Sequence, residues 1–190
     1  MRPLVLASAS PRRVQLLREA GFAFEAVSPD GVEEAHDAAL APEALTVENA
    51  RRKACAVAAL RPEALVIGAD TLVYVDGIPL GKPAGHEEAR AMLRSLSGRA
   101  HEVCTGVFLA WDGGRRGLGF HDVTEVVFKT LADEDIRAYH ALVNPLDKAG
   151  AYGIQEHGGR IIAGHEGSWT NVMGLPMEKL AAALRDIKAR

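Results

Sequence analysis

The sequence predicts a mixed α/β fold, a sheet with both parallel and antiparallel neighbours flanked by helices. Three observations predict it. Short, fully apolar runs such as Leu4-Val5-Leu6 and Leu65-Val66-Ile67 have the length and composition of buried strands. Segments with apolar positions at helical spacing alternate with those runs. The turn signals Asp76-Gly77 and Asp112-Gly113-Gly114 place tight hairpins in the same sheet, so it cannot be purely parallel.

The first strand is expected from Pro3 to Ala7, followed by a helix with Ser10 as N-cap, Pro11 at its first position and Gly21 as its left-handed stop. Val14, Leu16, Leu17 and Ala20 give that helix its core-facing stripe. An acidic, loop-prone segment follows from Ser28 to Pro42, with Asp30, Glu33, Glu34 and Asp37. A second helix is expected from near Thr46 through Leu60, which sets Asn49 and Lys53 one turn apart on one face.

Leu65 to Thr71 reads as a buried strand ended or interrupted at the carboxylate of Asp70, and Leu72–Val75 and Ile78–Leu80 as a hairpin around Asp76-Gly77. That register would return Lys82 toward Asp70 and Thr71. The second half is expected to hold a helix over Glu87–Leu96, strands over His101–Leu109 and His121–Lys129, and a helix through Leu142 opened by a capping box of Thr130 and Asp133. A small-residue loop from Asp147 to Gln155, a strand near Arg160–Ala163, a turn at Asn171–Pro176 and a helix from near Pro176 complete the reading.

The 190 residues are enough for one domain, expected over 1–190. Hydrophobic content of 48% beside 25% charged residues fits a folded soluble chain. No apolar run approaches the ~18 residues of a membrane span, and the N-terminus lacks the long apolar stretch of a secretory signal. Cys55 and Cys104 lack zinc or disulfide spacing. A cytoplasmic protein is therefore expected. A net charge of −3 and a pI near 6.2 argue against nucleic acid as a partner.

Positive charge is instead concentrated locally. The backbone N–H groups of the first helical turn, its dipole, and Arg12 and Arg13 would converge on one volume suited to a phosphate; the alternative is a capped surface helix whose arginines are solvated. Lys53 and Lys82 add ammonium groups, and Asp70 with the acidic loop supplies carboxylates for a divalent cation and an activated water. Walker-type and dinucleotide-binding glycine motifs are missing, and the histidines lack metal-ligand spacing.

Six blocks taken together resemble the Maf family of nucleoside triphosphate pyrophosphatases. They are Ser8-Ala9-Ser10-Pro11-Arg12-Arg13, Glu48-Asn49-Ala50 with Lys53-Ala54, Gly68-Ala69-Asp70-Thr71, Gly81-Lys82-Pro83, Asp147 to Gln155, and Asn171 to Pro176. The resemblance implies an elongated, twisted sheet flanked by helices, two lobes around a cleft, as in inosine triphosphate pyrophosphatases. It also implies cleavage of a nucleoside triphosphate between its α and β phosphates with Mg²⁺ or Mn²⁺. By position it makes Asp70 the proton acceptor and a metal ligand, with Glu33 as metal helper. Arg12, Thr71 and Gln155 match positions tied to base choice; Ser8, Arg13, Lys53 and Lys82 match phosphate contacts. The Ala151–Gln155 block resembles the branch acting on dTTP, UTP and modified uridine nucleotides. A homodimer fits the family pattern, and a nucleotide-binding regulator of septum formation and cell-division arrest is the alternative reading.

Overall fold

In the computed structural model, residues 2–36 and 39–188 are described; Asp37 of the acidic loop lies outside them. Their strands are β1 (Leu4–Ala7), β2 (Glu25–Val27), β3 (Leu65–Val75), β4 (Ile78–Leu80), β5 (Ala100–Trp111), β6 (Arg116–Phe128) and β7 (Ile162–Glu166). The helices are α1 (Pro11–Glu19), α2 (Pro42–Leu60), α3 (His86–Leu96), α4 (Asp133–His140), α5 (Trp169–Val172) and α6 (Met177–Lys188), with 3₁₀ turns at Ala149–Ala151 and Gly158–Arg160.

One sheet of seven strands runs in the order β2-β1-β3-β5-β6-β7, with β4 beside β3. It is mixed, as expected: β1 pairs parallel with β2 and β3, whereas β4 pairs antiparallel with β3 and β7 with β6. The β3–β4 hairpin has the two-residue register expected, with Val75 opposite Ile78, and Asp76 and Gly77 both at positive φ as a primed turn requires.

The differences have local causes. α2 starts one turn before Thr46, because Pro42 is suited to a first helical position and Glu43 to a first turn. β3 continues through Asp70 to Val75 without a break. Ser10 stands at the N-cap of α1 without a side-chain capping bond; its N–H donates instead to Ser8 Oγ. Ala132, not Thr130, precedes α4, and its N–H donates to the Asp135 carboxylate. The short edge strand β2 and the single-turn α5 carry too few residues to show a period.

The chain divides into two compact units. The first comprises Met1–Asp70, Thr105–Asp122 and Gly174–Arg190; the second comprises Thr71–Cys104 and Val123–Met173. In the first, Val5, Ala7, Val66 and Ala110 from the strands pack on Ala54 and Val57 of α2. In the second, Val73, Val103 and Phe128 pack on Leu93, Ile136 and Tyr139.

Two glycines set the close approach of α2 to the sheet. A Cβ at Gly68 of β3 would lie 2.1 Å from the Ala50 carbonyl oxygen, and one at Gly106 of β5 would lie 2.3 Å from the Val47 nitrogen. The helix backbone rests directly on strand backbone at both points.

Candidate active site

Asp70 lies two residues beyond Gly68 on β3, and so on the same face of that strand. The contact at Gly68 brings α2 against this face, and Asn49 and Lys53, one turn apart on α2, both reach the Asp70 carboxylate. Lys53 Nζ donates to Oδ1 at 2.7 Å and Asn49 Nδ2 to Oδ2 at 3.3 Å. Asp70 is 6% exposed and Asn49 2%, so these bonds form largely away from water, where they are stronger than at the surface.

Asn49 also pins the acidic loop. Its Oδ1 accepts from the Ala35 N–H at 2.7 Å and its Nδ2 donates to the Ala35 carbonyl at 3.2 Å. Arg52 donates to the Glu33 carbonyl at 3.3 Å. Held in this way, the loop sets the Glu34 carboxylate 2.6 Å from Lys53 Nζ. The carboxylate that joins Asp70 on the ammonium is thus that of Glu34, while neighbouring Glu33 contributes a backbone oxygen to Arg52. Sequence spacing alone marks neither Glu34 nor Asn49 as a functional residue. For Asn49 the signal existed in its helical offset from Lys53; for Glu34 no offset distinguishes it from Glu33.

At the start of α1, Arg13 Nη1 donates to Ser8 Oγ at 3.2 Å and Nε to the Gly174 carbonyl at 2.7 Å. The guanidinium pKa is lowered, chiefly by burial and further by Arg12, against the opposing fields of Asp70 and Glu34. Those fields tie Arg13 electrostatically to the carboxylate cluster. Ser8, Arg13, Lys53 and Asp70 therefore belong to one neighbourhood in the first unit. Arg12 is half-buried on the first turn of α1. That turn holds no acidic residue, so nothing negative on α1 itself opposes an anion at the positive end of its dipole.

Thr71, Lys82 and Gln155 belong to the second unit. Thr71 follows Asp70 on β3 and is half-buried. β4 ends at Leu80 opposite Val73, so the ladder does not continue to Lys82, which is exposed. The preceding Gly81 carbonyl instead accepts from the Gly150 N–H at 3.1 Å. Gln155 follows Tyr152-Gly153-Ile154 in a segment fastened by buried bonds: the Tyr139 hydroxyl donates to the Gly153 carbonyl and accepts from its N–H.

Among the described residues, no group of three or more His, Cys, Asp and Glu side chains is arranged to hold a metal ion. No described helix is long and apolar enough to cross a membrane.

The family model for Maf-like proteins matches residues 3–187. The chain belongs to the Maf family. Curated Maf relatives match it over nearly their whole length. A protein named dTTP/UTP pyrophosphatase from Akkermansia muciniphila is 46% identical over 99% of this chain and 98% of its own. Proteins of the same name from Pelotomaculum thermopropionicum and Carboxydothermus hydrogenoformans are 45% and 46% identical over 97% and 96% of this chain, covering 96% and 97% of their own. A solved structure, that of a HAM1 protein from Coxiella burnetii, is 20% identical and aligns with a TM-score of 0.47 over 67% of this chain and 73% of that one.

Proposed function

We propose that this Maf protein hydrolyses dTTP and UTP, and modified uridine triphosphates of the same shape, to the nucleoside monophosphate and pyrophosphate. The observation that carries the chemistry is the Asp70 carboxylate held by Lys53 and Asn49, with Glu34 on the same ammonium and Arg13 nearby. The names of the whole-length relatives support the choice of nucleotide.

Asp70 accepts the proton of the attacking water. The phosphorus–oxygen bond between the α and β phosphates breaks, and pyrophosphate leaves with the electron pair. Lys53 and Asn49 orient the carboxylate so that its remaining lone pairs face a water. Arg13 and Lys53 offset the charge that grows on the departing pyrophosphate, a role that for Lys82 rests on the motif match alone. Ser8 and the first turn of α1 receive phosphate oxygens. Arg12, Thr71 and Gln155 contact the nucleoside, an assignment that rests on the motif match.

Asp70 and Glu34 fit a divalent cation: both supply hard oxygen donors, and both already converge on one positive charge, that of Lys53. Two carboxylates completed by substrate phosphates and water are an ordinary magnesium donor set, so the shortage of a third protein ligand is no obstacle. Bound there, Mg²⁺ or Mn²⁺ would supply Lewis-acid stabilisation of phosphate charge. We place the protein in the cytoplasm, where nucleotides are abundant and its free cysteines Cys55 and Cys104 stay reduced.

Product analysis tests this reading. The purified protein with Mg²⁺ and dTTP or UTP should release monophosphate and pyrophosphate, with no diphosphate or orthophosphate. Tight nucleotide binding with no product would favour the regulator of cell division instead.

A further inference from the structure

Gln155 has a side chain that reads equally well in two orientations. With its carbonyl toward N3 and its amide nitrogen toward O4, it matches the N3–H donor and O4 acceptor of uracil or thymine. Turned by half a revolution, it matches the N3 acceptor and N4 amine donor of cytosine. A freely rotating glutamine therefore cannot choose between these bases. The choice must come from whatever fixes the amide.

The second unit contains such a device. Lys148 is 3% exposed, and its ammonium has three partners: the Asn144 carbonyl at 2.8 Å, Asp147 Oδ1 at 2.7 Å and Glu156 Oε2 at 3.0 Å. The other Glu156 oxygen, Oε1, accepts from Gln155 Nε2 at 3.2 Å. A carboxylate can only accept, so Glu156 dictates which end of the amide faces it, and a donor-only ammonium in turn holds Glu156. Gln155 Oε1 is left on the other side, shielded from water and with no hydrogen-bond partner. An unpaired buried acceptor is costly until a donor arrives. The second hydrogen on Nε2 stays available for a base carbonyl.

The backbone beneath this pair is equally constrained. The Glu156 N–H donates to the Gly153 carbonyl at 3.2 Å, and Gly153 is held by the Tyr139 hydroxyl. A Cβ at Gly153 would lie 3.0 Å from Lys148 Cε and 3.5 Å from Gln155 Oε1, so the glycine makes room for both.

We propose that Glu156, anchored by Lys148, is a positioning residue that locks the Gln155 amide with its carbonyl toward an N3–H donor and so selects uracil and thymine nucleotides over cytosine nucleotides. The inference rests on the reading of Gln155 as a base contact.

Its test is the ratio of kcat/KM for UTP to that for CTP in the wild type, E156A, E156Q and Q155A, with thermal melting to verify folding. E156A frees the amide to turn, and the ratio should fall about tenfold, the worth of one hydrogen bond of ordinary strength, through KM rather than kcat. E156Q is the sharper variant. Lys148 would claim the oxygen of the introduced amide, whose NH₂ then faces Gln155 and turns that side chain around. The ratio should fall further than in E156A, with a gain on CTP. A merely structural Glu156 would lower both nucleotides together, or neither. An unchanged ratio in E156Q, with Q155A flattening it, overturns the role of Glu156 alone. An unchanged ratio in Q155A overturns the base-contact reading and the inference with it.

Discussion

Lys53 Nζ stands 2.7 Å from Asp70 Oδ1, although one residue is on a helix and the other on a strand. The close backbone contact at Gly68 creates that relationship, because it lets α2 lie on β3 with its Asn49–Lys53 face over the carboxylate.

Gly68→Ala should therefore damage stability and the site together. Its methyl group would meet the Ala50 carbonyl and the Ala54 nitrogen, both backbone atoms that cannot step aside. A loss of about 3 kcal/mol, at the upper end for overpacking, is expected in urea unfolding. Gly164→Ala, where a Cβ meets nothing within 4 Å, is the control and should stay within about 0.5 kcal/mol of wild type.

Asn49→Ala removes both bonds to Ala35 and the bond to Asp70. Unfolding should become easier by about 1–3 kcal/mol, the range for leaving buried polar groups unpaired. Amide exchange at Ala35 should accelerate well beyond that of α6, because the loop loses its tie to α2.

Much of this arrangement is legible in the sequence. The apolar run before Asp70 marks a buried strand, and the offset of Asn49 and Lys53 puts them on one helical face. Asp76-Gly77 names its turn type. What sequence periodicity cannot reach is tertiary choice within irregular chain. Glu33 and Glu34 are chemically alike neighbours in a loop, and only the paired bonds between Asn49 and Ala35 decide which carboxylate meets Lys53. Likewise, Ser10 has the residue type of a cap, but Ser8 Oγ takes its N–H and the capping bond does not form. The tie from Lys148 through Glu156 to Gln155 is equally out of reach of periodicity, since it joins a buried lysine to a carboxylate eight residues later.

His101 gives the fold an acid sensitivity. It is 3% exposed, its Nε2 lies 2.7 Å from the Tyr152 hydroxyl, and burial pushes its pKa down to about 4. The unfolded chain takes up this proton near pH 6.5, whereas the folded chain resists until about pH 4. Stability from this group is complete above pH 6.5, falls through the window between those values and levels off below it. The loss is about 3 kcal/mol. In His101→Phe, denaturant midpoints measured from pH 7 to 4 should lose that part of the slope.

Chelation should abolish turnover, and Mg²⁺ or Mn²⁺ should restore it. Glu34→Gln removes one carboxylate from the pair on Lys53, so half-maximal activity should need about tenfold more cation, as for removal of a ligand-shell group. Its melting temperature should hardly change, because the Glu34 side chain is 44% exposed and an ion pair so open to water contributes little.

The most direct test of the central claim is the steady-state turnover of Asp70→Asn with UTP and Mg²⁺, measured beside nucleotide binding. The amide oxygen can still accept from Lys53, so the variant should fold and bind nucleotide, but an amide cannot take a proton from water. Turnover should fall by about 10²–10⁴, the usual worth of general-base assistance. Turnover within a few-fold of wild type would contradict the account, because the proton would then be going elsewhere.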